Sequence, residues 1–217
     1  MIPSGLLFLI SAIMMLSFLM LTQTHIINLV KLLITQNVIL TFYLLLKALE
    51  SPSLELFFSV TLTLIIKVIA LPWLLWKLTH YLQLVARIEP IINKPTLLFS
   101  GIVVAIFAFE LSHQIEPLLG VSTVIGFSLT LANAFLAVLI VLFRRKAISQ
   151  VIGLLVMENS IFLLAATLTS GFPWLIELGI GFDVLIGFMI FAIFLMRIRA
   201  THGSLQTHFL ESLKERV

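Results

Sequence analysis

Three ionisable side chains fall near the middle of long apolar runs: Lys67 in Leu56–Leu78, Glu158 in Ala147–Leu168 and Asp183 in Phe172–Met196. A charge at the centre of a membrane-spanning helix costs at least about 2.5–3.5 kcal/mol on insertion scales. Such a group persists when it has a partner, a water-filled cavity or a function in moving ions. Lysine and carboxylate groups change protonation state as their surroundings change, which is what a proton relay requires of its members. Glu158, Asp183 and Lys67 are therefore the candidate proton- or ion-translocating residues. Glu110, Glu177 and Asn159 are possible accessories; the two glutamates, like Glu116, lie toward the outer ends of their runs, where solvation is easier. The competing readings are static ones. Lys67 would be locked in an intramembrane ion pair, and each carboxylate would be a neutral group hydrogen-bonded at a helix contact.

The neighbours of these residues sharpen the expectation. Lys67 follows Ser59 and Thr63 at four-residue intervals, which places the three on one helix face. Pro72, one turn later, deprives a carbonyl near Val68 of its usual donor. Glu158 belongs to Gly153-Leu-Leu-Val-Met-Glu-Asn-Ser160, where Asn159 and Ser160 can bond adjacent helices and Gly153 permits close approach. Asp183 has Gly179 and Gly187 four residues to either side. The fifth run carries a small and polar stripe, Thr123, Gly126, Thr130, Asn133 and Ala137, suited to seat these helices.

Other chemistry is excluded or weak. The chain contains no cysteine, which removes cysteine-ligated iron–sulfur and nickel–iron centres and disulfides. His25, His80, His113, His202 and His208 lie at run ends or in the tail without metal-ligand spacing. No phosphate-binding loop, dinucleotide fingerprint, nucleophile elbow or metalloprotease helix occurs. No catalytic, cofactor-binding or metal-ligating residue is expected in this chain, and no nucleic-acid partner.

The elements that must hold these charges are spanning helices. Of 217 residues, 61% are hydrophobic and 11% charged, with a mean hydropathy of +1.21. A soluble domain is about a quarter charged, so lipid must cover most of this surface. A helix needs roughly 20 apolar residues to cross a bilayer core. Runs of that scale occupy Ile2–Leu21, Ile26–Leu46, Leu56–Leu78, Thr96–Leu111, Leu118–Phe143, Ala147–Leu168 and Phe172–Met196. The runs are continuous, whereas a membrane β-barrel alternates apolar and polar residues. The expected fold is an all-α integral membrane protein with about seven transmembrane helices. Met1-Ile2-Pro3-Ser4 lacks the basic start of a cleaved signal, so the first run is read as a retained span.

The basic residues predict orientation. With the N-terminus outside, Lys77, Arg87, Lys94, Arg144, Arg145, Lys146, Arg197, Arg199, Lys214 and Arg216 lie inside, Lys31 lies near the inner end of its span, and Lys47 lies outside. The positive-inside rule thus favours an outside N-terminus and a cytoplasmic C-terminus. Residues 1–95 read as a three-helix region with an interfacial linker at Thr79–Pro95, and residues 96–199 as the remaining helices. Residues 200–217 form a polar tail with Leu205, Phe209, Leu210 and Leu213 at helical spacing. Trp73, Trp76 and Trp174 lie toward run ends, as interfacial belt residues do.

Glu158 within Gly153–Leu164, followed by Gly171-Phe-Pro173, Glu177-Leu-Gly179 and Phe182-Asp183, resembles component E of hydrogenase-4, the formate-hydrogenlyase-type membrane subunit. Ile66-Lys67-Val68 with Pro72, and Gly203-Ser-Leu-Gln206 before Leu210-Glu-Ser-Leu-Lys214, extend the resemblance over nearly the whole chain. The last three spans (about 118–199) also look like the small three-helix subunit K of respiratory complex I and its counterpart in the multi-subunit antiporters that exchange cations for protons. Gly153, Met157 and Asn159 match the subunit K frame, but Leu155 stands where that family has a membrane glutamate, and Glu158 occurs three residues on. Asp183 falls where subunit K has its second membrane glutamate.

The resemblance implies a non-catalytic, cofactor-free membrane-arm subunit of a complex I-related redox complex, in a bacterial or archaeal cytoplasmic membrane. Its partners would be lipids, antiporter-like membrane subunits, a membrane anchor subunit and a peripheral redox arm carrying iron–sulfur and hydrogenase subunits. Two other classes compete. An autonomous or antiporter-type cation/proton transporter would show inverted repeats and paired broken helices, and neither is evident. A structural connector would carry the same charges as static pairs.

Overall fold

The structure, a computed structural model, describes residues 4–50, 54–73, 75–76, 90–119 and 121–168, with isolated positions between 181 and 192. Its helices are α1 (Ser4–Thr22), α2 (Ile26–Glu50), α3 (Leu54–Thr63), α4 (Lys94–His113), α5 (Val121–Leu142) and α6 (Ala147–Leu168). A four-residue helical turn, Glu116–Leu119, separates α4 from α5. Among the described residues, five helices are long and apolar enough to cross a membrane: α1, α2, α4, α6 and most of α5. The described part of the third apolar run is also helical, but it changes register. After α3 it passes into a π-helical turn, Leu64–Ala70, and then returns to α-helix at 71–73.

The helix ends follow the expected punctuation. Pro95 occupies the first turn of α4, where a missing N–H has no intrahelical acceptor to lose. The start and end of α6 coincide with the expected run, Ala147–Leu168. The seventh run, Phe172–Met196, lies mostly outside the described residues, as do the greater part of the linker Thr79–Pro95 and the tail 200–217.

The helices form a bundle in which α5 packs most extensively on α6, and also on α4 and α1. Helix α2 contacts α1, α3, the π turn and α6. Glycines set two of these approaches. A Cβ on Gly153 would lie 2.8 Å from Val141 Cγ2 and 3.1 Å from the Val141 backbone nitrogen, so α6 and α5 meet at backbone distance. A Cβ on Gly101 would lie 2.9 Å from Phe18 and 3.2 Å from Leu136, which ties α4 against α1 and α5.

The apolar interior is divided. One cluster joins Met20 and Leu21 of α1 with Leu29 and Leu33 of α2, Leu136 and Ile140 of α5, and Ile152 and Val156 of α6. A second joins Ile10 and Ile13 with Leu40, Tyr43 and Leu44, and with Phe162, Leu163 and Ala166. Along each of α1, α2 and α6, polar residues lie between these two clusters. That layer lies near mid-height of the bundle.

Candidate functional site

The polar layer draws residues from five segments. Ser17 comes from α1, Gln36 and Asn37 from α2, Lys67 from the π turn, Asn133 from α5, and Glu158, Asn159 and Ser160 from α6; all are buried. Each is a short polar interruption in an apolar helix, so closing the helices over their apolar faces forces these groups together. Unpaired, each would cost free energy in a dry interior. They pair with one another.

The charged centre is Lys67 and Glu158. The Lys67 Nζ lies 3.3 Å from Glu158 Oε1, and the two side chains are only 4% and 7% exposed. The ammonium donates to Asn159 Oδ1 at 3.4 Å and stands 5.2 Å from the centroid of the Phe162 ring. Asn159 Nδ2 donates to Asn37 Oδ1 at 2.6 Å, and Asn37 Nδ2 donates to the backbone carbonyl of Lys67 at 2.6 Å. The path from ammonium to carboxamide to carboxamide thus returns to the backbone of the lysine where it began. Both ends of Lys67 are tied into one ring of hydrogen bonds.

The π turn explains why that carbonyl is available. The Leu71 N–H donates to Ile66 O, five residues back, which is the π register. In that register the next donor, for Lys67 O, is residue 72, and Pro72 has no N–H. The α-helical expectation put the freed carbonyl near Val68; the extra residue of the π turn moves it to Lys67. Asn37 supplies the missing donor. Insertions of this kind in an α-helix recur at functional sites.

A second chain of bonds runs through the same layer. Gln36 Nε2 donates to Ser17 Oγ at 3.2 Å, Ser17 Oγ to Asn133 Oδ1 at 2.5 Å, and Asn133 Nδ2 to Ser160 Oγ at 2.7 Å. Ser160 Oγ closes the chain on Val156 O. The two chains run side by side through consecutive residues, Gln36 and Asn37 on α2, and Asn159 and Ser160 on α6. Two side chains keep acceptors outside these bonds. Gln36 Oε1 and both oxygens of Glu158 are buried without a directed hydrogen bond among the described residues. The Lys67–Glu158 contact is therefore a charge–charge contact, and the second carboxylate oxygen has room in its bonding capacity for a proton.

Of the stripe on α5, Gly126, Thr130, Asn133 and Ala137 are buried and Thr123 is half-buried. Thr63 is buried in line with Lys67. Glu110 lies apart from the layer, exposed on α4, at the rim of a cavity of about 550 Å³ that it shares with His113 and Glu116. His113 Nδ1 and Glu116 Oε2 are 2.6 Å apart there. Asp183 and Glu177 lie outside the described residues. Among the described residues, no cluster of three or more His, Cys, Asp or Glu has the disposition of a metal site.

Three contributors escaped the reading of residue types: Asn37, Gln36 and Ser17. The adjacent amides Gln36-Asn37 within the apolar run Ile26–Leu46 were the available signal, since amides in spanning helices bond across helix contacts. Arg144 also takes an unexpected position. Only 1% exposed, it donates to Met20 O (2.7 Å) and Leu21 O (2.9 Å) in the last turn of α1 and to Gln23 O (2.6 Å) just beyond it, where the helix end leaves carbonyls in need of donors. Met20 O also accepts from Gln23 N at 3.3 Å. Burial pushes its guanidinium down to about 10, so it stays charged at neutral pH. Its own carbonyl accepts from Gln150 Nε2, and Ile91 N donates to Phe143 O alongside it.

These contacts gather the basic residues by end. Arg144, Arg145, Lys146, Lys94 and Lys31 belong to the end of the bundle where α1 and α5 finish and α2, α4 and α6 begin. Lys47 belongs to the opposite end, where it donates to Ala166 O in the last turn of α6.

Comparison with known proteins gives distant relatives. The chain is 26% identical over 153 residues to an uncharacterised protein of Mycobacterium tuberculosis, a match covering 70% of each. It is 30% identical over 87 residues to hydrogenase-4 component E of Escherichia coli, and equally to that of Shigella flexneri; each match covers 40% of this chain and 40% of the relative. No family model and no solved structure matches the chain.

Proposed function

We propose that this chain is a membrane-arm subunit of a complex I-related, hydrogenase-4-type redox complex, and that it passes protons or sodium ions through its buried polar layer. The observation that carries this reading is the Lys67–Glu158 pair, buried at mid-bundle and tethered through Asn159 and Asn37 to the π turn. An acid and a base in contact can exchange a proton without either facing lipid as a lone charge. The ring of amides holds the lysine while Glu158 keeps an oxygen open for a proton arriving from elsewhere. The partial similarity to hydrogenase-4 component E supports membership in a multi-subunit assembly. In that assembly antiporter-like subunits and a membrane anchor would flank this chain, and a peripheral arm would hold the iron–sulfur and hydrogenase centres.

In this reading the N-terminus lies outside and the basic end of the bundle faces the cytoplasm, as the positive-inside rule favours. Asp183 is proposed as the next station beyond Glu158, with Glu110 and Glu177 as accessory groups nearer the outer surface. Charges so close along a path bias one another's protonation, which is how a redox event at a distance would reach them.

A static pair is the competing reading, favoured by the completeness of the ring around Lys67. One experiment separates the two. The complete parent complex carrying Glu158→Gln is reconstituted into vesicles, and electron transfer and ion uptake are followed together with a pH-sensitive dye and a sodium indicator. The relay predicts intact assembly and electron transfer with ion uptake reduced at least tenfold. Normal uptake in an assembled Glu158→Gln complex rejects it.

A further inference from the structure

Helix α2 and the segment around the π turn leave between them a groove of about 520 Å³ that the ion relay does not use. Its walls are two helical ridges. Ile27, Val30 and Ile34 recur at the spacing of one face of α2, and Ile69, Trp73 and Trp76 do the same on the facing segment. Val68 and Pro72 complete the lining. Apart from one charged residue and the two indole N–H groups, the lining side chains are hydrocarbon.

That residue is Lys31. It lies on α2 about 7.5 Å from the helix start by axial rise, exposed, with no ion pair or hydrogen bond of its ammonium among the described residues. A lysine at this depth buries its methylenes along the apolar wall and sends its charge toward the headgroup level. Trp73 and Trp76, both more than half exposed, flank the same groove. Indole rings favour the boundary between acyl chains and headgroups. The groove is within the size range of small-ligand sites, and its polarity is ordered along its length, with apolar walls and one cation toward the basic end of the bundle.

We infer that this groove is a binding site for a glycerophospholipid with an anionic headgroup, its acyl chain lying against Ile34, Val68 and Ile69 and its phosphate beside Lys31. Charge complementarity selects the class. The molecule holds a second groove of similar size, between α4 and α5, and there the titratable lining is Glu110 together with His113 and Glu116, which contact one another. That lining offers an anionic headgroup no unpaired cation among the described residues, so the selectivity is assigned to the Lys31 side. A zwitterionic lipid would fit the walls equally but would not distinguish the two grooves.

The inference rests on the reading of this chain as membrane-embedded, and its test separates the two. The full chain is purified in a mild detergent and exchanged with equimolar phosphatidylglycerol and phosphatidylcholine, and the retained lipid is quantified by native mass spectrometry. The expected result is a preference of about fivefold for phosphatidylglycerol, the factor that one basic side chain contributes beside an anionic headgroup. Lys31→Gln reduces the ratio to about one, Lys31→Arg keeps it, and Arg145→Gln, away from the groove, leaves it unchanged. Equal retention of the two lipids by the unsubstituted chain overturns the site, as does a preference that survives Lys31→Gln. A photo-reactive group at Ile69 that couples to a neighbouring protein instead of lipid also overturns it, since the groove is then a protein contact. Retention of neither lipid overturns the site and leaves the membrane reading standing, since detergent covers the apolar surface in lipid's place.

Discussion

Replacing Glu158 with Gln removes the counter-charge of a lysine that has almost no contact with solvent. At 3.3 Å, two unit charges attract by about 5 kcal/mol when the effective interior permittivity is 20. Desolvation offsets part of that attraction in the intact protein. Breaking such a pair from one side still costs about 3–5 kcal/mol, because the remaining charge stays buried without compensation. Glu158→Gln and Lys67→Met should therefore each destabilise the protein by about that amount. The double variant carries no charge in the layer and should recover most of the loss, giving a coupling energy of about 3 kcal/mol or more. Reversible unfolding in mixed micelles, measured for the four proteins of the cycle, reads this directly. Losses that add to within about 0.5 kcal/mol would mean that the two groups act independently, and the pair would be rejected as the organising contact. The same double variant tests function apart from stability. If the complex containing it is stable and still moves ions, the relay is refuted even though the pair is real.

The π turn gives a second prediction. Asn37→Leu leaves the Lys67 carbonyl without its side-chain donor and Asn159 Nδ2 without its acceptor, and should destabilise the protein by about 1–3 kcal/mol for each group left unpaired. Pro72→Ala restores a backbone N–H and should recover the share of that loss that belongs to the Lys67 carbonyl, whereas Pro72→Ala that leaves the Asn37→Leu defect unchanged would refute the assignment; thermal unfolding of the two single variants and the double variant decides. Arg144→Met removes the guanidinium donor from Met20 O, Leu21 O and Gln23 O, of which Met20 O keeps the Gln23 N–H, and should lower the unfolding temperature markedly. Arg144→Lys should recover only part of it, since a point charge cannot reproduce the fork of the guanidinium; full recovery would show that charge alone matters there. Gly153→Ala places a methyl group against the α5 backbone and should cost about 1–3 kcal/mol as overpacking, while Gly5→Ala, with nothing within 4 Å, should be neutral in the same measurement.

Helices, and two of the three charges expected at their centre, Lys67 and Glu158, were legible from residue types alone; the third, Asp183, lies outside the described residues. Hydrocarbon leaves the backbone no water to bond, so a continuous apolar run of about 20 residues has little choice but helix. In that setting Lys67 and Glu158 are conspicuous because their burial is so costly. The small stripe of α5 and the close approach at Gly153 were legible for the same kind of reason, since absence of bulk on one face is a property of the run itself.

Which polar group meets which depended on the tertiary structure. Asn37, Gln36 and Ser17 are ordinary residues for a helix, and nothing local distinguishes an amide that bonds a lysine carbonyl from one that faces its own turn. Pro72 announces a freed carbonyl, but the choice between Val68 and Lys67 turns on a π register that is stabilised across the helix contact by Asn37. Arg144 shows the same division. Its place in a basic loop marks an end of the bundle, yet its burial against Met20, Leu21 and Gln23 follows only from where α1 stops beside α5. Periodicity and hydropathy are set along one helix at a time, whereas partners are set by how the helices cross.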